Sequence, residues 1–253
     1  PQVEPYSIDE MFIDLTGIDN IADCAQEIRA RILQKTKIPT CIGIGETKTK
    51  AKLGSHLAKV TADLRGICDL QSKEACDRFY AVTPIECVWG IGRQSARKIT
   101  TLGFHSVHQL IQIDDKLARK LLTITGARIV MELRGISCFP LSTATSPKKG
   151  IMVSRTFGNA VSDLRTLCSA ISTFVPIVAE KLRQQKLEAK ALTVFASTSR
   201  FAAEGGQESS ITFEIPPTSD PFPLNREVLQ GVRKMWVAGM RYTRARISVH
   251  EVQ

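Results

Sequence analysis

The sequence lacks several features that would assign it to a class at once. It has no run of about 18 consecutive apolar residues, which a membrane-spanning helix requires, and no signal-peptide pattern. Its seven cysteines include no Cys-x-x-Cys pair, and they do not combine with the four histidines at the spacing of a zinc site. We therefore expect neither a membrane protein nor a zinc module, and we interpret the cysteines as reduced, mostly buried thiols in a reducing compartment.

Negative charge is also in short supply. The chain carries 34 Lys and Arg residues against 25 Asp and Glu, a net charge of +9 with a pI near 9.3. Residues 147–253 hold 15 of the basic residues and 9 of the acidic ones, so the smaller part is the more basic. With 43% apolar residues the chain is predicted to be globular. The charge favours an acidic partner, most simply nucleic acid, although a basic surface that only maintains solubility is the alternative.

The first 140 residues change character near residue 80. Up to about residue 70, strands and helices alternate as in an α/β layer domain, with strand 1–18, helix 20–36, strand 38–45 and helix 47–64. From residue 81 to 140 the pattern is helical and is broken by short glycine-containing turns. The stretch 141–150 is rich in Pro, Ser and Thr without periodicity, which predicts a linker.

The remaining residues, 151–253, predict a β-α-β-β-α-β order, the split βαβ arrangement. The expected elements are strand 151–157, helix 159–185, strands 191–197 and 210–215, helix 224–236 and strand 241–252. The predicted fold class is therefore a multidomain α+β protein, with an α/β part first, a helical part next and a mixed domain last.

Two glycines flank one apolar residue in Gly90-Ile91-Gly92, and a helix is expected to start near Arg93. Glycine tolerates the positive φ and the close approach that a tight hairpin between two helices requires. The free N–H groups at the start of the second helix suit a phosphate, and Arg93, Arg97 and Lys98 add positive charge nearby. We predict a helix-hairpin-helix element that grips the DNA backbone. A helical hairpin that only packs is the alternative.

A lysine stripe follows the glycine-rich end of the second strand. At about 100° per residue, Lys48, Lys52, Ser55 and Lys59 fall on one face of the predicted helix, and leucines fall on the opposite face. Like charges on one face repel each other unless an anion offsets them, so Lys52 and Lys59 are candidates for binding phosphate. At Lys50 we expect only a solvated charge, which is also the alternative interpretation of the whole stripe.

The segment Tyr6-Ser-Ile-Asp-Glu-Met-Phe-Ile13 is predicted to be a half-buried strand in which aromatic and branched residues surround two acids. Side chains alternate along a strand, so Asp9 and Glu10 share a site only if the strand begins, twists or bulges there. Adjacent acids that are buried are costly without cations, which would fit Mg²⁺ ions for phosphoryl transfer. An exposed turn with solvated acids is the alternative. The neighbours predicted to be buried are Ile8, Met11, Phe12 and Ile13.

In this order, the motifs resemble the Y-family of translesion DNA polymerases, and within it the UmuC-type catalytic subunits of bacterial DNA polymerase V. The combination is specific because it extends along the whole chain, although each motif is short. The residues that carry it are Ser7-Ile8-Asp9-Glu10, Gly43-Ile44-Gly45, Thr47-Lys48, Leu57-Ala58-Lys59, Ala62-Asp63-Leu64-Arg65-Gly66, Trp89-Gly90-Ile91-Gly92, Glu132-Leu133-Arg134-Gly135 and Ser154-Arg155-Thr156-Phe157-Gly158.

The resemblance implies a domain plan and an activity. Residues 1–80 would be the C-terminal part of a palm, 81–140 an all-helical thumb with the helix-hairpin-helix, and 151–253 a βαββαβ little finger that lies on DNA. The implied activity is error-prone translesion synthesis, a template-directed nucleotidyl transfer with two Mg²⁺ ions and dNTP substrates on primer–template DNA. A non-catalytic DNA-binding or repair module is the alternative, and a metal-dependent nuclease is a weaker one.

The same resemblance implies roles for individual residues. The implied catalytic, metal-binding carboxylates are Asp9 and Glu10, and the implied contacts of the incoming triphosphate are Lys59 and, next to it, Lys52. The implied DNA contacts of the last domain are Ser154, Arg155, Thr156, Arg244 and Arg246. On a strand, Arg244 and Arg246 share one face, from which Arg241 is excluded.

The resemblance is incomplete at both ends. An opening palm strand with a further metal-binding Asp, the fingers with the steric gate against ribonucleotides, and a clamp-binding motif after the little finger have no counterpart here. We therefore expect an N- and C-terminally truncated chain that binds primer–template DNA but does not polymerise alone. The resemblance also implies a UmuD-type accessory dimer, a RecA-type filament and a sliding clamp as partners, and a location in the bacterial cytoplasm.

Overall fold

The structure, a computed structural model, describes residues 2–142, 150–199, 201 and 205–250. The chain divides into two units, Pro1–Thr145 and Ser146–Gln253, each with a hydrophobic core of its own. Most of the predicted linker, at residues 143–149, lies outside the described residues. As expected, helices and strands are mixed along the chain.

The first unit contains two small sheets. β1 (Val3–Pro5) and β2 (Met11–Ile13) form an antiparallel hairpin, and β3 (Ile42–Ile44) pairs in parallel with β4 (Ile67–Asp69). Helix α1 (Ile21–Thr36) follows β2, and α2 (Lys48–Val60) with a 3₁₀ turn, Ala62–Leu64, connects β3 to β4. The predicted strands 1–18 and 38–45 are therefore too long, because each pairing covers only three residues.

Glycines allow α2 to lie directly against β3. A Cβ at Gly43 would lie 1.9 Å from the carbonyl oxygen of Ala51, and a Cβ at Gly54 would lie 3.0 Å from Cα of Gly43. Thr47 begins the helix as its N-cap, where the side chain accepts a hydrogen bond from the Lys50 amide. Backbone packs on backbone here, which fixes the position of the lysine-bearing helix on the strand.

Helices form the rest of the first unit. They are α3 (Lys73–Val82), a 3₁₀ turn (Ile85–Cys87), α4 (Arg93–Thr100), α5 (Val107–Leu110) and α6 (Asp115–Leu133). One core joins them to α2, and Leu53, Tyr80 and Leu133 are among its most buried members. The predicted division of this unit near residue 80 does not correspond to two cores among the described residues, and it stays a prediction.

Helix α6 is interrupted at Thr123, whose φ of 68° and ψ of −178° are not helical. A β-branched residue at positive φ is strained, and Thr123 and Ile124 are both exposed at the break. The helical pattern predicted for residues 81–140, with breaks only at glycine-containing turns, does not indicate a break at Thr123. At 19 residues α6 is the longest described helix, and no described helix has both the length and the apolar character needed to cross a membrane.

The second unit is a four-stranded antiparallel sheet with helices. Its elements are β5 (Gly150–Val161), α7 (Leu164–Ser172), α8 (Phe174–Gln184), β6 (Ala189–Ser197), β7 (Glu208–Thr218), α9 (Pro221–Met235) and β8 (Tyr242–His250). The strand order is β5-β8-β6-β7, so the last strand lies between the first and the second. The predicted order of strands and helices is correct except at one helix.

The helix predicted over residues 159–185 is wrong in two respects. Strand β5 continues to Val161, and the helical part is split into α7 and α8 at Thr173. Asp163 starts α7 as its N-cap, since its side chain accepts from the Thr166 amide. Pro176 lacks the N–H that a continuous helix would need at that point, so a second helix begins instead.

The helices cover one face of this sheet. Leu192, Ile247 and Val249 point toward α7, α8 and α9 and are fully buried. Because strand side chains alternate, the opposite face carries Arg244 and Arg246 from the central strand β8. This second face is the open face of the sheet.

Candidate functional site

The predicted strand through Asp9 and Glu10 is wrong, because these residues form the loop of a hairpin. The amides of Tyr6 and Ser7 both donate to the carbonyl oxygen of Glu10, at 3.0 Å each, and close the loop between β1 and β2. We call residues Val3–Ile13 the carboxylate hairpin. The alternation of a strand does not apply inside the loop, so both acids lie together at its end.

The expected burial of the two acids is also wrong. Ile8 and Met11, which were predicted to be buried, are 105% and 60% exposed, and Asp9 and Glu10 are exposed as well. Only Phe12 packs fully inward, while Ile13 is half-buried. One face of the hairpin contacts the protein, and the argument that burial alone demands cations at the acids does not hold.

The two carboxylates have different partners. Asp9 Oδ1 accepts a hydrogen bond from the Ser7 hydroxyl at 2.6 Å, and Glu10 Oε1 lies 2.6 Å from Lys52 Nζ. Mg²⁺ requires about six oxygen ligands, several of which are usually waters or substrate phosphates. Among the described residues no group of three or more His, Cys, Asp or Glu side chains could hold a metal ion. The acids fit part of a magnesium site and do not complete one.

Two lysines of α2 hold the carboxylate hairpin. Lys48 Nζ lies 2.5 Å from Glu4 Oε2 and 5.2 Å from the Phe12 ring centre. Lys52, one helical turn further on, pairs with Glu10 and lies 5.3 Å from the Tyr6 ring centre. For Lys48 and Lys52, the anions that offset the charge are therefore the protein's own carboxylates.

Lys59 lies two turns beyond Lys52, about 10 Å along the helix axis, and is exposed. The structure therefore brings Lys52 to the predicted carboxylates and leaves Lys59 in solvent. The expectation of a solvated Lys50 is wrong, since Lys50 is buried and its Nζ lies 2.6 Å from Glu46 Oε2. That pair spans one helical turn, so the sequence contained the necessary spacing.

Within the carboxylate hairpin, the charged side chain of Glu4 binds Lys48 of α2 and the Ser142 amide. Partial burial raises the pKa of Glu4, but hydrogen bonds from Lys48 and from the Ser142 amide, together with the Lys48 charge, outweigh this effect. The pKa of Glu4 is therefore below its ordinary value. The ionised form stabilises the contact between the hairpin and α2.

Trp89 packs the turn Gly90-Ile91-Gly92, which we call the glycine hairpin, against the carboxylate hairpin. Its ring lies 5.6 Å from that of Tyr6, 6.3 Å from that of Phe12 and 5.8 Å from that of Phe139. Its Nε1 donates a hydrogen bond to the Tyr6 hydroxyl at 3.0 Å. The sequence motif drew attention to the two glycines and gave no role to the tryptophan beside them.

The glycine hairpin has the expected second helix but a shorter first element. Helix α4 begins at Arg93 as predicted, while the residues before the turn form only the 3₁₀ turn Ile85–Cys87. Gly90 has φ +79°, and a Cβ there would lie 2.4 Å from Ile129 Cδ1. Gly92 is the N-cap of α4 without a side-chain cap, and the space around its Cα is open.

The basic residues of α4 project into solvent. Arg93, Arg97 and Lys98 are exposed, whereas Ala96 and Ile99 are buried. The start of the helix therefore presents uncapped backbone N–H groups with cationic side chains close by, as a phosphate contact requires. The role of these residues in DNA binding stays a prediction.

The open face of the second unit brings four predicted residues together. Ser154 pairs with Arg246, and Thr156 pairs with Arg244, across the β5–β8 ladder. Arg155, between them, pairs with Ala245 and points to the other face, where its Nη1 donates to the Ser154 carbonyl oxygen. The structure therefore separates Arg155 from the residues with which it was grouped.

Arg246 is the central side chain of this face. Its guanidinium carbon lies 4.3 Å from the centre of the Phe195 ring, and its buried Nε has no hydrogen-bond partner. A shallow cavity of about 290 Å³ opens beside it, lined by Met152, Ser154, Phe195, Glu208, Arg244 and Arg246. A guanidinium that is fixed in place by an aromatic ring and retains a free donor is suited to an anion.

In the Glu132-Leu133-Arg134-Gly135 motif, the two charged side chains form hydrogen bonds with other parts of the first unit. Glu132 is fully buried and accepts four hydrogen bonds. Arg134 Nε donates to the Ile111 carbonyl oxygen at 2.8 Å and its guanidinium also contacts Asp115 and the Ile113 carbonyl. The sequence marked this motif only through the resemblance and gave no physical reason for it.

Two family models match the chain. The model of the impB/mucB/samB family matches residues 1–56, and the model of the impB/mucB/samB family C-terminal domain matches residues 148–253. Together they cover more than half of the chain. The unmatched middle contains the glycine hairpin and α6.

Proteins of similar sequence come from several bacteria. "Protein UmuC" of Salmonella typhimurium is 35% identical over 252 residues, which make up 97% of this chain and 60% of that protein. "Protein SamB" of Salmonella typhimurium is 31% identical over 252 residues, with 59% of that protein covered. "DNA polymerase IV 1" of Bacillus subtilis is 28% identical over 196 residues, 76% of this chain and 46% of that protein. The chain thus spans about three fifths of the length of its UmuC and SamB relatives.

A solved structure shares the fold. The "Y-family DNA polymerase chimera Dbh-Dpo4(243-245)-Dbh" superposes with a TM-score of 0.74 and covers 99% of this chain and 71% of its own. The two sequences are only 18% identical, so this likeness concerns the fold alone.

Proposed function

The chain belongs to the impB/mucB/samB family of UmuC-type, Y-family proteins, and on that premise we propose that it is the DNA-binding part of a translesion DNA polymerase. The complete activity would be template-directed nucleotidyl transfer across damaged DNA. Support comes from the polymerase relatives and from two separate basic surfaces, one on each unit. In this proposal, residues 1–80 are part of a palm, 81–140 a thumb and 151–253 a little finger.

The single observation that carries DNA binding is the Arg246 side chain on the open sheet face. Its guanidinium stacks on Phe195 at 4.3 Å and forms no ion pair with a described residue, so its charge favours a ligand that supplies an anionic acceptor. A backbone phosphate supplies two non-bridging acceptor oxygens and a negative charge. Ser154 and Arg244 line the same cavity. Thr156, which pairs with Arg244 across the β5–β8 ladder, extends the contact along the strand.

We place the chemistry at Asp9 and Glu10. When bound, Mg²⁺ ions would stabilise the charge on the transferred phosphoryl group. The described residues supply two carboxylates for such ions, and the remaining ligands would come from elsewhere in the complete enzyme, from waters and from substrate. The chain alone would then bind primer–template DNA without extending it.

Lys52 and Lys59 would serve the incoming nucleotide in different ways. Lys59 is free in solvent and can meet a phosphate directly. Lys52 is engaged with Glu10, so a phosphate competes with that carboxylate for the ammonium group. A divalent cation at Glu10 would favour this exchange, because the cation would replace the ammonium as the partner of the carboxylate. The accessory dimer, the recombinase filament and the sliding clamp stay expectations from the resemblance.

The test of DNA binding is the fluorescence anisotropy of a labelled primer–template duplex titrated with the chain at several salt concentrations. We expect the double variant Arg244→Ala/Arg246→Ala to reduce the magnitude of the slope of log K against log salt by about 2, since each phosphate contact contributes roughly 0.9. Arg155→Ala is the matched control on the same strand pair, and it should change the slope much less.

The test of the chemistry is primer extension with Mg²⁺ and dNTPs, by the chain and by its Asp9→Asn variant. Binding without extension by either protein is the expected result. Extension by the chain and none by the variant would establish a polymerase and overturn the proposed incompleteness. Equal extension by both would remove Asp9 from the site. Absence of binding would reject the proposed function, and strand cleavage that Asp9→Asn abolishes would favour the nuclease.

A further inference from the structure

Glu132 is a fully buried carboxylate near the end of α6, and four hydrogen bonds converge on it. Oε2 accepts from the amide and the hydroxyl of Thr49, at 2.9 and 2.8 Å. Oε1 accepts from the amides of Cys138 and Phe139, both at 2.9 Å. Each oxygen therefore holds a different part of the chain.

The first part held by Glu132 is the opening turn of α2. Thr49 is the second residue of this helix, and the Thr47 hydroxyl beside it donates to the Glu132 carbonyl oxygen at 2.9 Å. The same turn carries Lys48, and Lys52 follows one turn later. Glu132 thus fixes the origin of the helix whose lysines pair with the carboxylate hairpin.

The second part is the segment 138–142, which leads out of α6 toward the second unit. The Phe139 ring packs on Trp89, and the Pro140 carbonyl oxygen accepts from Lys48 Nζ at 2.9 Å. The Ser142 amide donates to Glu4 Oε2 at 2.6 Å. This segment therefore contacts the same hairpin from another side.

Both parts meet at the carboxylate hairpin. Lys48 contacts Glu4 and the Pro140 carbonyl at once, so it joins α2, the hairpin and the segment 138–142. Lys52 holds the loop itself at Glu10. Glu132 contacts no residue of the hairpin in the hydrogen bonds described here, yet its two oxygens hold both supports of that hairpin.

We propose that Glu132 is a positioning residue that sets the place of the Asp9–Glu10 loop through these two supports. A carboxylate suits this task because all four of its partners are donors. A glutamine of the same size would turn an NH₂ group toward either Thr49 or the Cys138 and Phe139 amides, and one support would be lost. The meaning of this role for catalysis rests on the proposed function.

The test is amide hydrogen exchange on the full chain, which requires neither DNA binding nor polymerisation. The informative amides are those of Tyr6, Ser7 and Asp14. The first two donate to the Glu10 carbonyl oxygen and the third donates to the Gln2 carbonyl oxygen, and none of them contacts Glu132. In Glu132→Gln we expect these amides to exchange about tenfold faster, because hydrogen bonds to a charged group are among the stronger ones in a protein. The amides of α4 should keep their rates.

The matched control is Tyr80→Phe. Tyr80 is as buried as Glu132, and its hydroxyl donates to the Leu133 carbonyl oxygen at the same end of α6, at 3.1 Å. This variant removes a buried hydrogen bond next to Glu132 but leaves Thr49 and the segment 138–142 in place. It should leave the exchange of the hairpin amides within about twofold of the parent.

The outcomes separate positioning from general stability. Faster exchange at the hairpin in Glu132→Gln but not in Tyr80→Phe supports the proposal. A uniform increase across the whole first unit, or an unchanged hairpin, overturns it. Should Glu132→Gln fail to fold, Thr49→Val removes only one hydroxyl donor to Oε2, and the hairpin amides must still exchange faster than those of α4. A chain that fails to bind DNA but passes this test would reject the proposed function alone.

Discussion

Three lysines at the start of α2 and two arginines on the open sheet face differ in whether their charges are paired within the protein. In the first unit Lys48, Lys50 and Lys52 are each paired with a glutamate at 2.5–2.6 Å. On the open sheet face of the second unit, Arg244 and Arg246 form no ion pair with any described residue, and the Nε of Arg246 has no partner at all. The lysines are neutralised within the protein, whereas the arginines remain available to an external anion.

This difference predicts unequal contributions of the two groups of residues to DNA affinity. Unpaired cations on a sheet gain the full counterion-release contribution when they meet DNA. A lysine that is already paired gains less, because a carboxylate of the protein already offsets its charge. We therefore expect the arginines of the open sheet face to contribute more to DNA affinity than the paired lysines of α2.

The largest expected effect is a loss of stability that is confined to the first unit. Gly90→Ala places a Cβ at φ +79° and 2.4 Å from Ile129 Cδ1, so the turn before α4 must move. We expect the first unit to lose about 3 kcal/mol of its unfolding free energy, combining backbone strain with overpacking. Differential scanning calorimetry should show this loss in one transition only.

Gly92→Ala is the control for that variant. Gly92 has an ordinary φ of −74° and open space around it, so the loss should be at most about 1 kcal/mol, as expected for alanine at an N-cap. Equal losses for the two variants would show that the left-handed conformation of Gly90 is not what the turn depends on.

A second prediction sharpens the charge comparison in the second unit. Arg246→Ala should weaken primer–template binding about tenfold, since it removes a charge-assisted contact and the stack on Phe195. Arg246→Lys keeps the charge but loses the planar group, so we expect an intermediate value. If the lysine variant matches the parent protein in an anisotropy titration, charge alone accounts for the contact.

The third prediction concerns the paired lysines and has a smaller effect. Lys52→Ala should change DNA affinity by less than about threefold, because the charge removed is already paired with Glu10. The same measurement on Lys59→Ala should show a larger loss, since Lys59 is exposed and unpaired in the described contacts. A Lys52 effect as large as that of Arg246 would contradict the distinction between the two units.

The smallest predicted effect is a pH dependence of the first unit. The pKa of Glu4 is lowered in the folded protein, so its contribution is present in full above its ordinary value of about 4.5 and is lost as the pH falls through the folded pKa. Between pH 6 and pH 3 the Tm of the first unit should fall more in the parent than in Glu4→Gln. If Tm falls equally with pH in the two proteins, ionised Glu4 does not stabilise the first unit.

Local patterns predicted the parts of the site that depend on one element. The start of α4 at Arg93 followed from glycines, and the shared face of Arg244 and Arg246 followed from strand alternation. The same alternation, applied to the segment Tyr6–Glu10, gave a wrong strand, because two amides donating to one carbonyl close a loop there. Apolar residues in that loop looked buried only on the assumption that it was a strand.

Contacts between distant parts of the chain were beyond a single sequence. Glu132 and Thr49 are 83 positions apart, and Trp89 and Tyr6 are also 83 apart. No periodicity connects such pairs. The sequence of a helix also does not distinguish a buried glutamate from an exposed one. The Lys50–Glu46 pair differs, since its four-residue spacing was visible and only its burial was not.

The packing of Trp89 has an optical consequence. Its indole ring lies among Tyr6, Phe12 and Phe139, between the glycine hairpin that precedes α4 and the carboxylate hairpin. The chain has only one other tryptophan, Trp236. A Trp236→Phe protein would therefore have a single tryptophan, at the junction of these two hairpins, which can be excited selectively at wavelengths where tyrosine does not absorb. Its emission would report changes in the packing between the two hairpins, without any attached label.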